Sequence, residues 1–104
     1  MLVATTDTLG GKEILTTLGL VRGVSVRAAH AMADFDALLK NAAGGELPEY
    51  TAIFAQAREQ AMDRMLEQAR HLGADAVVGV RFATSEIATG AAEVLAYGTA
   101  VKLS

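Results

Sequence analysis

Two side chains near the end of a helical stretch have the types and spacing of a metal site. Glu67 and His71 lie four residues apart, so on an α-helix both reach the same side and could hold one divalent ion. The alternative is structural, because the negative end of a helix dipole stabilises an imidazole. Two ligands make a weak site, and the chain has no cysteine to add a thiolate. The structural role is therefore preferred, and a divalent metal stays the alternative.

Arginines in apolar segments are the second candidate for chemistry. Arg22, Arg27 and Arg81 fall among apolar and small residues. Arg22 and Arg27 differ by an odd number and face opposite sides of a regular strand, unless a bulge at Gly23 intervenes. If copies assemble around an axis, any one of the three arginines would repeat and form a positive collar that binds a small anion, phosphate or carboxylate. The alternative, which is preferred, is a rim arginine paired with Glu13, Glu86 or Glu93.

The remaining polar candidates do not form a catalytic set. Arg58 and Glu59 are adjacent and point in different directions on a helix, so we expect them to hold the helix against a neighbouring loop or subunit, with Tyr50 as an anchor. We expect Asp75 to accept hydrogen bonds from nearby backbone rather than to act as a general base. Nucleophile-elbow and phosphate-loop motifs are missing from the sequence. An enzyme is the less favoured hypothesis, and its site would be shared between subunits through Arg81, Asp75 or Glu59.

Composition narrows the function classes. A net charge of −3 with 20% charged residues argues against a nucleic-acid binder. No apolar run approaches a membrane span and no signal peptide is recognisable, so we expect no membrane partner and a cytoplasmic location. Apolar residues make up 52% before ten glycines are added, against roughly 45–50% with glycine included in a typical chain. That excess predicts that other copies of the chain cover part of its surface.

The pattern of residues predicts one α+β domain over residues 1–104. We expect a short strand at 2–6, followed at 13–27 by a long strand bent near Gly19 or by two strands that meet there. A short helix capped by Asp34 is expected within 28–43, and a long helix at 48–72. Two further strands are expected at 76–85 and 93–103. These elements predict a small, mostly antiparallel sheet. The long helix carries an apolar stripe of three alanines with Phe54, Met65 and Leu72, which allows close packing on a sheet.

The last two strands differ in their faces. The helix is expected to cover a small-residue face made of Val77, Gly79, Arg81 and Ala83 with the matching positions of the last strand. We expect another subunit to cover the opposite face, which would consist of Val78, Val80, Phe82, Leu95, Tyr97 and Val101.

The run ARHLGADAVVGV at 69–80 resembles the signature of the YbjQ-like family, which is uncharacterised and labelled a heavy-metal-binding domain. Further matches lie in the expected order at Asp34-Phe35, Gly44-Gly45, Tyr50, Ala57-Arg58-Glu59 and Gly98-Thr99-Ala100-Val101. The resemblance implies a dodecin-subunit-like fold of strands with one long helix and a homo-oligomeric ring, a pentamer. It implies no established activity. Glu46-Leu47 stands where the family tends to have Arg-Ser, so an anion-binding role for that loop is not carried over. A non-enzymatic ligand-binding or scaffold role follows.

Overall fold

A computed structural model describes residues 1–28, 48–88 and 90–104, with side chains described from Thr51 in the second range. The elements in chain order are β1 (Leu2–Val3), β2 (Ile14–Ala28), α1 (Pro48–His71), β3 (Ala76–Ala88) and β4 (Ala91–Leu103). The strands form one sheet in the order β1-β3-β4-β2. β4 pairs antiparallel with both β2 and β3, and β1 pairs parallel with β3. Among the described residues, no helix is long and apolar enough to cross a membrane.

The mixed sheet shows that the expected fold was wrong in two respects. The sheet is not a mostly antiparallel one, because β1 adds in parallel to the outer edge of β3. The described ranges contain one helix rather than two, and the short helix expected at 28–43 falls almost wholly outside them, with Ala28 ending β2. The described fold is therefore a mixed four-stranded sheet with one helix, and a structure of one copy does not show whether copies form a ring. A two-residue strand such as β1 has no hydropathy period, so the sequence carried no signal for its direction.

Helix α1 lies on the sheet through its alanine stripe, as predicted. Ala57, Ala61, Met65 and Ala69 are fully buried against β2 and β4. Two members of the predicted stripe are not buried: Phe54 is half-buried, and Leu72 is 46% exposed because the helix ends at His71. Because these side chains are small, the helix lies so close to the sheet that the sheet residues beneath it must also have small side chains.

Gly23 is the position where helix and sheet come closest. A Cβ built on Gly23 would overlap the backbone oxygen of Ala61 and the backbone nitrogen of Met65. Gly23 therefore marks a close approach and not a bulge. The bend of β2 lies at Gly19, where φ is 127° and the register with β4 shifts. β2 is thus one continuous, bulged strand rather than two short ones.

A second bulge decides which way β3 faces. The Val78–Thr99 pair is followed by the Arg81–Tyr97 pair, so two residues of β3 oppose one residue of β4. Gly79 takes a φ of 62°, the left-handed conformation that glycine adopts without a steric cost. From this point as far as Glu86, each side chain of β3 lies on the face opposite to the one that simple alternation predicts, and a second register shift follows between Glu86 and Ala88.

The bulge overturns the predicted composition of both sheet faces. Val80 is buried in the core beneath α1 instead of facing a neighbour. Phe82 pairs with Ala96, a buried residue of the same core, so Phe82 also lies on the helix side. Arg81 and Ala83, which were expected under the helix, lie on the opposite face. Val78, Leu95, Tyr97 and Val101 keep the side that the sequence indicated.

Candidate functional site

A row of three polar side chains crosses the sheet on the face away from α1, which we call the open face. Tyr97 of β4 pairs directly with Arg22 of β2 on one side and with Arg81 of β3 on the other. Directly paired residues of neighbouring strands project from the same face. With neighbouring strands about 4.8 Å apart, the Cα atoms of the two arginines lie roughly 10 Å apart with the phenol between them. We call this set the Arg–Tyr–Arg row.

Apolar side chains that are open to solvent surround the row on β2. Leu20, Val24 and Val26 are 62%, 37% and 52% exposed. The pairs Leu20–Thr99 and Val24–Leu95 place Leu20 and Val24 on either side of Arg22 on the open face. At one end of this face, Val78, Ala76 and Val101 form a small buried cluster under Leu9, Ile14 and Leu103. The row therefore lies in the uncovered part of a face that is mostly apolar and that also carries Thr99 and Glu93.

The two arginines of the row are held differently. Nη1 of Arg81 donates to the carbonyl oxygens of Thr5 at 2.7 Å and Val80 at 2.8 Å, so the segment after β1 orients this guanidinium. Arg22 uses its backbone N–H to bind Oε1 of Gln68 at 2.7 Å. Within the described ranges no acceptor contacts the Arg22 guanidinium, and neither arginine forms an ion pair. Both charges are therefore uncompensated by any described carboxylate.

The glutamates proposed as rim partners do not pair with these arginines in the part of the chain that the structure describes. Glu93 does lie on the open face, opposite Val26, but four residues along β4 from Tyr97. At 3.3–3.4 Å per residue that separation is about 13 Å. The preferred expectation, a rim arginine neutralised by Glu13, Glu86 or Glu93, therefore has no support from the described contacts.

Arg27 lies on the helix side, so the prediction that it faces away from Arg22 is confirmed. Its Nη2 donates to Oε1 of Gln60 at 3.1 Å, and the fully buried Ser25 hydroxyl donates to the same oxygen at 2.6 Å. This network joins β2 to α1. It stabilises the packing of the helix and adds nothing to the open face.

Glu67 and His71 meet at the exposed end of α1. His71 Nε2 lies 3.2 Å from Glu67 Oε1, while Arg70 Nη1 lies 3.3 Å from Glu67 Oε2. The carboxylate is thus shared between two cationic or potentially cationic neighbours. No cluster of three or more histidine, aspartate or glutamate ligands occurs in the described ranges. The two side chains have the spacing of a two-ligand site that needs further ligands from elsewhere.

Asp75 joins the start of β3 to the end of β4. Its Oδ2 accepts the backbone N–H of Leu103 at 2.9 Å, and its Oδ1 lies 3.5 Å from Nζ of Lys102. The Leu103 hydrogen bond, followed by the charge of Lys102, holds the pKa of Asp75 below its ordinary value of 3.8. A carboxylate this easily ionised is a poor general base near neutral pH. The backbone partner is 28 residues away rather than in the local turn that the sequence indicated.

The other candidates lie on the helix side or on the helix itself. Arg58, together with Phe54, Thr84, Ala92 and Val94, lines a cavity of about 210 Å³ between α1 and the β3–β4 hairpin. Glu59 is exposed on α1, and the Tyr50 side chain lies outside the described part of the molecule. Within one copy, the structure does not bring Glu59 or Asp75 to Arg81, so the residues proposed for a shared enzyme site do not converge.

Tyr97 is the member of the row that residue types alone did not single out. The alternation of the last strand places its aromatic ring on an apolar face, and only the register of three strands places it between two arginines. The signal that was available is Gly79. A glycine inside a strand pattern indicates a bulge, and a bulge there moves Arg81 beside Tyr97.

Comparison with known proteins agrees with the sequence signature. A family model described as YbjQ, "Putative heavy-metal-binding", matches residues 1–104. UPF0145 proteins from Methanosarcina acetivorans and Halorubrum lacusprofundi are each 54% identical over 103 residues, which is 99% of this chain and 97% and 99% of theirs. A crystal structure of a DUF74-family protein of unknown function from Pediococcus pentosaceus has a TM-score of 0.68 at 20% identity. That match covers 100% of this chain and 98% of the other, and it supports the fold alone.

The family description refers to heavy metals, whereas Glu67 and His71 of α1 belong to no cluster of three or more metal-ligand side chains within the described ranges. The relatives carry names without an activity. With a model matched from the first residue to the last and relatives above 50% identity, the chain belongs to the uncharacterised YbjQ family.

Proposed function

We propose that this chain is a non-enzymatic, homo-oligomeric protein whose open face is covered by further copies and binds a small anion at the Arg–Tyr–Arg row. One observation carries the proposal: Arg22 and Arg81 flank Tyr97 on an exposed apolar face and have no described carboxylate partner. Self-association and anion binding are linked, because a second copy that covers the open face would remove water from the guanidinium groups of Arg22 and Arg81.

The size of the open face supports its burial by a second copy. Three strands of at least 13 residues make a face roughly 43 Å long and 14 Å wide, or about 600 Å² before side-chain relief is counted. Stable interfaces bury about 800 Å² on each partner. The radius of gyration of 17.1 Å also exceeds the roughly 13 Å of a compact 100-residue domain. One copy is thus an extended two-layer body whose sheet face has at most about three quarters of the area that a standard interface buries on each partner.

Burial by another copy would make an anion necessary. A guanidinium that loses water without gaining a negative partner is strongly destabilising. Phosphate and carboxylate match the planar fork of arginine, and the Tyr97 hydroxyl can donate a third hydrogen bond from between the two arginines. Because the anion binds the assembled state preferentially, adding it should promote assembly by mass action.

The number of copies comes from the family resemblance, which implies five. Native mass spectrometry of the untreated protein tests this directly, since it reports the subunit count and any anion that copurifies. A monomer at micromolar concentration would overturn the proposal, and an assembly of another size would correct the number alone.

Anion binding is tested separately by calorimetry with inorganic phosphate and with a simple carboxylate. Arg22→Ala and Arg81→Ala should each weaken binding by roughly tenfold or more, since hydrogen bonds to charged groups contribute about 1.5–3 kcal/mol. Arg70→Ala is the matched control, because it removes the same charge from the exposed surface of α1. Unchanged binding in both row variants would refute the anion site.

Metal binding at Glu67 and His71 is the second candidate, favoured by the 3.2 Å approach of the two side chains and by the family description. A neighbouring copy would have to supply further ligands, since protein metal sites commonly use three or four. Native mass spectrometry after incubation with zinc should then show a stoichiometric adduct that His71→Ala removes. An assembly free of adduct would eliminate this candidate.

A further inference from the structure

Helix α1 does not cover the strands of the sheet equally. Among the described elements it packs mainly against β2 and β4 and touches β3 little. Phe82, which projects from β3 on the helix side, is consequently 44% exposed. A groove therefore runs between the first half of α1 and the last part of β3, with β4 as its floor. We call it the helix-side groove.

Two adjoining cavities of about 210 Å³ each lie in the helix-side groove. They share Phe54 of α1 and Ala92 of β4 as walls. Arg58 and Thr84 line the first cavity, and Glu86 lines the second. Each volume is below the roughly 300–1,000 Å³ of sites for drug-sized ligands, so the groove suits a molecule of few heavy atoms.

The register of β3 and the turn of α1 place opposite charges at the two ends of the groove. Glu86 pairs with Ala92, and Thr84 precedes Glu86 by two residues on the same face, which is about 7 Å along the strand. Phe54 and Arg58 lie about one helical turn apart, roughly 6 Å along α1. The groove thus has a cationic end at Arg58 and Thr84, an anionic end at Glu86, and apolar walls between them.

These two charges do not neutralise each other. Within the described ranges, neither the guanidinium of Arg58 nor the carboxylate of Glu86 has an ion-pair or hydrogen-bond partner. Arg27 approaches Ala92 from the β2 side, but its Nη2 is already bound to Oε1 of Gln60. Arg58 and Glu86 are therefore the described charges that a ligand in the groove could use.

We propose that the helix-side groove binds a small zwitterion, whose carboxylate meets Arg58 and whose ammonium group meets Glu86. The guanidinium fork matches a carboxylate, the Thr84 hydroxyl can donate one more hydrogen bond to it, and a glutamate accepts the protons of an ammonium group. A short apolar chain between the two charges lies against Phe54 and Ala92. This site is on the face opposite the Arg–Tyr–Arg row, so the inference goes beyond the proposed function and does not depend on it.

Amide-detected NMR titration of the full chain with γ-aminobutyrate, butyrate and butylamine tests the inference. The three compounds share one apolar chain and differ only in the charged groups at its ends. We expect γ-aminobutyrate to shift the amides of Thr84, Glu86 and Ala92 and to bind about fivefold or more tightly than either singly charged compound. Equal binding of all three compounds, or shifts confined to other parts of the chain, would overturn the inference.

Removal of one charge at a time tests the two ends separately. Arg58→Gln should lower the affinity for γ-aminobutyrate to about that for butylamine, and Glu86→Gln should lower it to about that for butyrate. Arg70→Gln and Glu59→Gln are the matched controls, because they remove the same charges from exposed positions of α1 outside the groove. If both groove variants bound γ-aminobutyrate as tightly as their controls do, the site would not be the one proposed.

An exchange of the two charges gives a result that a structural role would not. Arg58→Glu and Glu86→Arg each place like charges at both ends of the groove and should abolish the preference for the zwitterion. The double variant exchanges the ends, so it should recover that preference with the ligand reversed. A folded double variant that binds no better than the single variants would contradict the inference. A wild-type monomer in native mass spectrometry would overturn the proposed function and leave this inference standing, because one copy carries the whole groove.

Discussion

Replacing Gly23 with alanine tests the close packing of α1 on the sheet. The new Cβ would overlap the backbone of Ala61 and Met65 and lie 2.8 Å from the Cβ of Arg64. Backbone atoms in the middle of a helix do not move aside individually, so the whole helix must retreat by about 1 Å. A gap of that size loses a quarter to a half of each van der Waals contact that it opens.

The expected cost follows from what the helix buries. Three alanines and Met65 are fully buried beneath it. At about 0.8 kcal/mol per alanine methyl and 1.5–3 kcal/mol for methionine, these side chains contribute roughly 4–5 kcal/mol. Losing a quarter to a half removes about 1–2.5 kcal/mol, and overpacking strain adds roughly 1–3 kcal/mol. We expect Gly23→Ala to lower the free energy of unfolding by about 3 kcal/mol, a large part of the usual 5–15 kcal/mol.

Chemical denaturation followed by far-UV circular dichroism measures this loss, at one protein concentration because assembly would stabilise both proteins. Gly10→Ala is the matched control: its Cβ would meet nothing within 4 Å, so its effect should stay within about 0.5 kcal/mol. If Gly23→Ala were as stable as Gly10→Ala, the helix would not lie against Gly23 as the structure has it.

Three further substitutions have expected outcomes. Asp75→Asn should lower the free energy of unfolding at pH 7. Because the pKa of Asp75 is lowered in the folded state, the difference in stability between wild type and variant should stay constant well above pH 3.8 and shrink as the pH falls through the folded pKa. A difference that chemical denaturation finds to be independent of pH would contradict this. Gly79→Ala should cost about 1–2 kcal/mol in thermal unfolding because φ is 62°, and an unaltered melting temperature would count against the bulge. Ser25→Ala should cost about 1 kcal/mol in urea denaturation by losing the bond to Gln60, whereas equal stability would show that bond to be dispensable.

The sequence by itself determined the elements that have a period. The alanine stripe of α1 recurs at helical spacing, and burial of Ala57, Ala61, Met65 and Ala69 follows from it. Simple alternation predicted the opposite orientations of Arg22 and Arg27 and two strands at 76–85 and 93–103, but the structure extends the first strand to Ala88 and begins the second at Ala91. The family followed from the run at 69–80, and a whole-chain match confirmed it.

Only the tertiary structure decided the faces of the sheet and the parallel addition of β1. A one-residue bulge at Gly79 reverses the side chains of β3 as far as Glu86, moving Arg81 to the open face and Phe82 to the helix side. The sequence marks the glycine, but the bulge forms because β3 must pair with β4 on one side and with residues 4–6 on the other. The Arg–Tyr–Arg row is a product of strand register, which depends on hydrogen bonds between residues far apart in the chain and not on any local pattern.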